Sequence, residues 1–333
     1  MIVNRTYNIP IKRKLAPFEK GTDEPIITSI SSFSPDANPN IFAITHKTSY
    51  QYTSEVTYSK HLFRLQPSFD ISQTVLHYKF TVSVNNGSVT NFIGAFGNQA
   101  SFLEIKEPYT ELGIVSESIV VVHELPKNMD LLHQPRTMPL IWMPWDRIMM
   151  QAYLQTPELP ESELFELAEY AMTFVRRNHN DVFAVLNDMN STIYREYTYM
   201  PGETSLNTTP YQVYISRTGV CQDFAQLLIC LARLLGIPAR YCVGYLYTFS
   251  DYENKIQSDA THAWVEIYFP YMGWLGFDPT NGCLVEKNYI RVACGRYYND
   301  AAPTSGTIFE APANTRETLS ASVQVIQLND RAS

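Results

Sequence analysis

Charge is scarce in this sequence. Only 17% of its 333 residues are Asp, Glu, Lys or Arg, against about 25% in an average globular chain. With 45% hydrophobic residues, that scarcity excludes wholesale disorder. Basic residues are the minority, 25 against 33 acidic, for a net charge of −8. This balance argues against a broad basic face, and no nucleic-acid partner is expected. The one basic cluster, Lys12-Arg13-Lys14, reads as a solvated segment. No apolar run approaches the roughly 18 residues of a membrane span, so no membrane partner is expected. Polar sequence follows Met1 without the apolar core of a signal peptide. Five cysteines, an odd number scattered along a long chain, do not make a disulfide framework. A reducing compartment, the cytoplasm, is the expectation. Phosphate-loop, dinucleotide-fingerprint, His-Glu-x-x-His, Cys-x-x-Cys and Gly-x-Ser-x-Gly patterns are all missing, which removes the usual pointers to nucleotide, nicotinamide, zinc and serine-hydrolase chemistry.

Aromatic residues are abundant, at 13% with 22 tyrosines, and favour β-structure. Residues 1–41 are proline-punctuated and read as an irregular arm. Residues 42–125 read as six or seven short alternating strands, with Asn86-Gly87 and Gly97-Asn98 as turns. This spacing predicts an antiparallel β-sandwich. Residues 126–156 form a proline-marked linker that could pack across both domains. From 157 to 333 the pattern is helices first and strands after, an α+β domain with a C-terminal extension. Helices are expected from about Pro160, over Asp181–Tyr194, over Pro210–Arg217 and over Cys221–Leu235. Strands are expected over Ala239–Thr248, His262–Phe269 and Trp274–Phe277.

Three residues of this second domain could do chemistry together. Cys221 follows Gly219, which lets the chain turn, and stands at a helix N-terminus. Unpaired N–H groups and the positive dipole end favour a thiolate there, the nucleophile of acyl transfer. Cys230 and Cys242 read as core; Cys283 and Cys294 read as loop residues without a partner. A thiol needs a base, and His262 opens a strand after a polar segment. The other six histidines look like surface or packing residues. A base needs an orienter, and Asp278 closes the next strand across a short turn. Asp223 and Asp259 are rivals, Asp223 being better explained as a first-turn helix acid. Cysteine, histidine and acid together follow the logic of nucleophilic acyl transfer.

The blocks Arg217-Thr-Gly-Val-Cys221-Gln-Asp-Phe-Ala225, Gly236-Ile-Pro-Ala-Arg240-Tyr241, Thr261-His262-Ala-Trp-Val-Glu266 and Gly276-Phe-Asp278-Pro-Thr-Asn281 occur in order. With Tyr197-Thr-Tyr199-Met-Pro-Gly202, they resemble the transglutaminase-like superfamily of papain-related cysteine enzymes. Tyr50-Gln-Tyr52, His61-Leu-Phe-Arg64-Leu-Gln-Pro67 and Phe96-Gly-Asn98 resemble the N-terminal domain of its bacterial branch. The resemblance implies an α+β catalytic domain of papain-like type behind an N-terminal antiparallel β-sandwich. It also implies Cys221 as nucleophile, His262 as general base and acid, and Asp278 as orienter. Gln226 departs from the family pattern, which often has His there.

The function expected is hydrolysis of an amide or peptide bond through a thioester, on a peptide or protein substrate. Protein-glutamine transamidation and a catalytically silent binding module on the same fold are the alternatives. The Cys221 N–H and a group near Tyr197 or Tyr199 are candidate oxyanion donors. Trp264 shares the His262 face and could shield the imidazole or be plain core. Arg240 and Glu266 are read as an ion pair bracing neighbouring strands. No cofactor is expected, and no metal, since no close set of acidic ligands is evident.

Overall fold

The computed structural model describes residues 40–84, 87–123, 137–248, 261–270 and 272–328. Residues 1–39 of the N-terminal arm, with Lys12-Arg13-Lys14, the turn residue Asn86, the linker residues Pro126 and Pro135, and Asp259 lie outside the described residues, while Asn40 and Ile41 belong to a strand rather than to an irregular arm.

Six strands open the described chain: β1 (Asn40–Val56), β2 (Tyr58–Phe63), β3 (Gln73–Val82), β4 (Ser88–Ile93), β5 (Gln99–Ile105) and β6 (Tyr109–Val122). Side chains alternate between faces along a strand, and in β2 this buries Ser59, His61 and Phe63. Phe63, Leu65, Leu103, Ile105, Leu112 and Ile114 form the core of this region. Each such side chain contributes about 1.5–3 kcal/mol by leaving water.

The helices and the second sheet follow. The helices are α1 (Pro144–Met149), α2 (Glu161–Arg177), α3 (Val182–Glu196), α4 (Pro210–Ser216), α5 (Cys221–Leu234) and α6 (Tyr298–Ala301). Among them lie the two-residue strands β7 (Thr198–Tyr199) and β8 (Thr218–Gly219). The strands β9 (Ala239–Leu246), β10 (His262–Phe269), β11 (Gly273–Asp278), β12 (Cys283–Leu284) and β13 (Tyr289–Gly295) make one antiparallel sheet, ordered β12-β11-β10-β9-β13. Cys283 and Cys294 thus stand on strands, not in loops.

Local chemistry sets the helix ends. The Asp181 carboxylate accepts from Ala184 N at 2.7 Å and starts α3. Thr209 and Gln212 exchange side-chain-to-backbone bonds at the start of α4, a capping box. Helix α5 buries ten of its fourteen residues, the charged Asp223 and Arg233 among them, so it is enclosed on nearly every side. It packs on β9 and β10 with one side and on α2, α3 and α4 with others. Arg233 is its one buried cation, and its guanidinium donates to the carbonyls of Gln155, Ala239 and Arg296.

The chain's last strands correct one expectation. Strand β14 (Thr304–Glu310) pairs with β2, and β15 (Glu317–Gln327) pairs with β1 from Phe42↔Gln327 to Tyr52↔Glu317. Residues 304–327 therefore complete the sandwich instead of extending the α+β domain. The two sheets run β15-β1-β6-β3 and β14-β2-β5-β4. Without the late strands, β1 and β2 would both be open edges, which invite wrong pairing.

A second edge is closed by side chains. The outer edge of β13 faces the sandwich, where Gln73 Oε1 accepts from Arg291 N and Gln73 Nε2 donates to Arg291 O. Asn98 treats Cys294 in the same way, at 2.9 and 2.6 Å. Two side-chain amides thus stand in for a missing neighbouring strand. The linker also touches both regions: the Tyr153 ring lies 5.1 Å from that of Trp274 and 6.3 Å from that of Phe96. Among the described residues, no helix is long and apolar enough to cross a membrane.

Candidate active site

The backbone around Cys221 is held by a short parallel ribbon. Helix α4 ends at Arg217 in the left-handed conformation, φ 55°. The chain then pairs Thr218 with Thr198 and Gly219 with Tyr199, through Thr198 N→Arg217 O and Met200 N→Gly219 O. Val220 is extended, and Cys221 is the first residue of α5. Its N–H therefore has no acceptor within the helix.

The freedom to turn belongs to Arg217, and Gly219 is needed for space. A Cβ on Gly219 would lie 2.9 Å from Asp223 Cβ and 3.1 Å from the Phe224 ring. Asp223 is committed to the helix start, its Oδ2 accepting from Val220 N at 2.9 Å and from Thr204 Oγ1 at 2.7 Å.

The ribbon separates the two candidate tyrosines. Tyr199, opposite Gly219, neighbours the Cys221 side chain. Burial, then the neighbouring Cys221, raises its pKa, so it stays a neutral donor. Tyr197 caps α3 and turns into the core. Its ring lies 4.6 Å beneath the Arg217 guanidinium and meets Phe224 edge-on.

His262 and Asp278 come together through sheet register. Val265 opposes Phe277, and continuing that register by one residue sets Trp264 opposite Asp278, on the other face of the sheet. His262 is then the diagonal neighbour of Asp278 on one face, within side-chain reach. The contact is His262 Nε2 to Asp278 Oδ2 at 2.7 Å, with both residues buried. Nδ1 is the ring nitrogen left for the neighbouring Cys221 side chain. Burial alone would lower the His262 pKa. The Asp278 carboxylate, followed by Cys221, outweighs it and raises the value to about 10.

Asp278 is itself held by several donors. Oδ1 accepts from Thr280 N at 2.9 Å and Asn281 N at 3.2 Å. Oδ2 accepts from Asn281 Nδ2 and Tyr289 Oη, each at 2.7 Å, beside His262. Burial pushes the carboxyl upward, but His262, Tyr289 and Asn281 together hold it below its ordinary value.

Trp264 is fully buried behind this pair. Its ring stacks on His262 at 6.4 Å and meets Tyr289 edge-on at 5.4 Å. The geometry can therefore exclude water from one face of the imidazole. Across β9 the residue opposite His262 is Gly244, where a Cβ would collide with Ile290 O and reach 2.8 Å from the Trp264 ring. The Arg240–Glu266 pair is present at 2.8 Å, and Arg291 adds a second guanidinium on the other carboxylate oxygen at 2.7 Å.

The structure thus gathers Cys221, His262, Asp278, Tyr199 and Trp264, and leaves Tyr197 in the core. The sequence reading assigned no role to Asn281 or Tyr289. Asn281 lies inside a motif block and was open to notice. Tyr289 sits on a late strand with no local signal.

Comparison with known proteins agrees with this arrangement. Residues 168–279 match the transglutaminase-like superfamily, and residues 42–121 match the bacterial transglutaminase-like N-terminal region. An uncharacterized protein of Mycobacterium tuberculosis is 31% identical over 299 residues, covering 84% of this chain and 91% of that protein. A protein-glutamine gamma-glutamyltransferase of Pseudomonas aeruginosa is 38% identical over 88 residues, only 25% of this chain and 13% of that one. A crystal structure titled a "Putative Cysteine Protease" from Cytophaga hutchinsonii superposes with a TM-score of 0.68 at 23% identity, covering 88% and 92% of the two chains. With both matched regions in order and the relative aligned along most of its length, the chain belongs to the transglutaminase-like superfamily, in its bacterial form with an N-terminal β-domain.

Proposed function

We propose that the protein is a cysteine-dependent acyl-transfer enzyme that hydrolyses an amide or peptide bond. The observation that supports this most is the buried His262–Asp278 pair turned towards a helix-start thiol. Cys221 Sγ attacks the carbonyl carbon of the substrate. Negative charge moves to the carbonyl oxygen, where the Cys221 N–H and the Tyr199 hydroxyl are the donors. Protonated His262 gives its proton to the leaving amine, and a thioester remains on Cys221. Water then attacks the thioester while the now neutral His262 takes its proton, and the Cys221 thiolate leaves beside the imidazolium, which releases the acid and restores the starting pair. Asp278 orients the ring and stabilises its charged form throughout.

The first test is a panel of acyl reporters on wild type and Cys221→Ala. The variant is expected to form no thioester and to lose turnover. Removing a small half-buried side chain should change stability by about 1 kcal/mol or less. Turnover retained in Cys221→Ala would remove the nucleophile assignment. Absence of turnover in wild type, with Cys221 alkylated by iodoacetamide no faster than an exposed thiol, would favour the silent binding module.

The oxyanion role of Tyr199 is tested by Tyr199→Phe. Loss of one such donor lowers kcat by about 10²-fold with little change in KM; an unchanged kcat would return the hydroxyl to a packing role. The acceptor is tested by supplying a glutamine-containing peptide with a fluorescent primary amine. Released acid should dominate, because preferring an amine to water at about 55 M needs a site that binds the amine and excludes water. Amine incorporation in large excess would replace hydrolysis by transamidation, the activity named for the Pseudomonas relative.

A further inference from the structure

We infer that Cys242 and Cys294 are a redox pair that closes into a cross-strand disulfide between β9 and β13. The two residues are register partners in the antiparallel sheet. Which kind of partner they are follows from Asn98. Its side chain occupies both the N–H and the C=O of Cys294 from the sandwich side. Those groups therefore point away from β9, and Cys242–Cys294 is a non-hydrogen-bonded pair. In such a pair the Cα atoms stand about 4.5 Å apart and the side chains are closest, within the span a disulfide bridges. The sulfurs lie within 4.8 Å of each other and of a Glu266 carboxylate oxygen.

The same three residues, Cys242, Cys294 and Glu266, could be read as metal ligands. Their surroundings argue against it. Glu266 already accepts from Arg240 on one oxygen and from Arg291 on the other. Two guanidinium groups repel a cation and use the lone pairs it would need. Two sulfurs alone fall short of the four ligands of a structural zinc.

Both cysteines are nearly inaccessible, at 0% and 6% exposed, so exchange belongs to folding, before β13 docks. The Cys294 thiolate attacks a low-molecular-weight disulfide such as oxidised glutathione and releases one thiolate. The Cys242 thiolate then attacks the Cys294 sulfur of the mixed disulfide and releases the second. The two cysteine protons end on the released thiols, so two cysteines are oxidised and one small disulfide is reduced. The bond ties a loop of about fifty residues. It lies in the cluster with Trp264 and Tyr289, directly behind the ring that stacks on His262.

The test uses the full chain, unfolded in urea and refolded in a reduced/oxidised glutathione buffer, then alkylated and digested without reductant. The expected result is recovery of the 242 and 294 peptides joined to each other. The oxidised protein should also melt about 5–10 °C above the same protein refolded in reductant. That difference should vanish in Cys242→Ser/Cys294→Ser. Recovery of the two peptides separately alkylated, or joined to Cys221, Cys230 or Cys283, would overturn the inference. So would one equivalent of zinc bound by wild type and lost in the double variant. The peptide map uses wild type alone, so the result stands even if the variant folds poorly. None of these outcomes bears on the acyl-transfer reading.

Discussion

The sandwich and the five-stranded sheet both bury histidines, and they do opposite things with them. His46 and His61 in the sandwich, and His262 in the sheet, are all 2% exposed or less. His46 meets the hydroxyls of Tyr245 and Thr48 at 3.0 and 3.1 Å. His61 meets those of Ser59 and Tyr109 at 3.0 and 3.2 Å. Desolvation governs both and lowers their pKa to about 4. His262 meets a carboxylate, and its pKa rises to about 10. Equal burial thus yields neutral rings in one region and a cation in the other. The partner, not the depth, decides the charge, and only the charged ring suits the proposed transfer of a proton to a leaving group.

The strongest way to break this contrast is Asp278→Asn. The variant keeps a hydrogen-bonding group beside Nε2 but removes the charge. His262 should then behave as His46 does, with its pKa falling below the ordinary 6.5 as desolvation takes over. The amide can also fix the wrong tautomer. The same swap in a serine triad costs about 10⁴-fold in kcat, and a loss of about 10³–10⁴ is expected here. Imidazole NMR titration and the acyl-reporter rate read the two effects separately. A ring still charged at pH 8 in the variant would show that Asp278 is not what holds the proton.

The contrast was only partly legible in the sequence. All three histidines stand on strands, and nothing next to His46 or His61 shows whether a hydroxyl or a carboxylate will face them. His262 stood out because of its block, Thr261-His262-Ala-Trp-Val-Glu266, and because Asp278 closes the following strand. Short-range signals of this kind also located α2 to α5 and β9 to β11, since helix periods, caps and turns are local. Long-range pairing was not legible. The return of β14 and β15 to the sandwich joins residues about 260 positions apart, and no periodicity carries the address of a partner strand. Tyr289 and the Cys242–Cys294 pair were missed for the same reason: β13 joins the sheet beside β9, out of sequence order.

A second prediction sharpens the comparison through pH. His46 and His61 have folded pKa values below the unfolded 6.5, so the unfolded chain binds more protons between about pH 4 and 6.5. Their contribution is fully present above pH 6.5 and is lost as pH falls through 4, at about 3 kcal/mol each. His262 has the opposite sign. Its contribution is fully present below pH 6.5 and is lost as pH rises through about 10. Asp278, held below its ordinary value, adds to the acid side, losing its contribution as pH falls through its folded pKa. Urea midpoints measured across pH should therefore fall on both sides of a plateau. Asp278→Asn should remove most of the alkaline fall and keep the acid fall, because the sandwich histidines still contribute to it and His262, its pKa now below 6.5, joins them in place of Asp278. Equal flattening of both limbs would mean that the two regions do not titrate as the contrast requires.

The smallest expected effect concerns how the carboxylate is kept ready. Asp278 Oδ2 accepts from Tyr289 as well as from His262 and Asn281, whereas no donor of this kind is needed beside the neutral rings of the sandwich. Tyr289→Phe removes one hydroxyl and no packing surface, so the ring should stay edge-on to Trp264. The Asp278 charge becomes slightly less stable, and the His262 pKa should shift downward as its partner weakens. A hydrogen bond to a charged group contributes about 1.5–3 kcal/mol, but only the part that differs between resting and transition states reaches the rate. A loss of about 3- to 10-fold in kcat with unchanged KM is expected, together with an alkaline limb of the pH–rate profile moved to lower pH. A merely structural tyrosine would lower stability without moving that limb. An unmoved limb would leave Asn281 and the two backbone donors as the groups that hold Asp278 ionised.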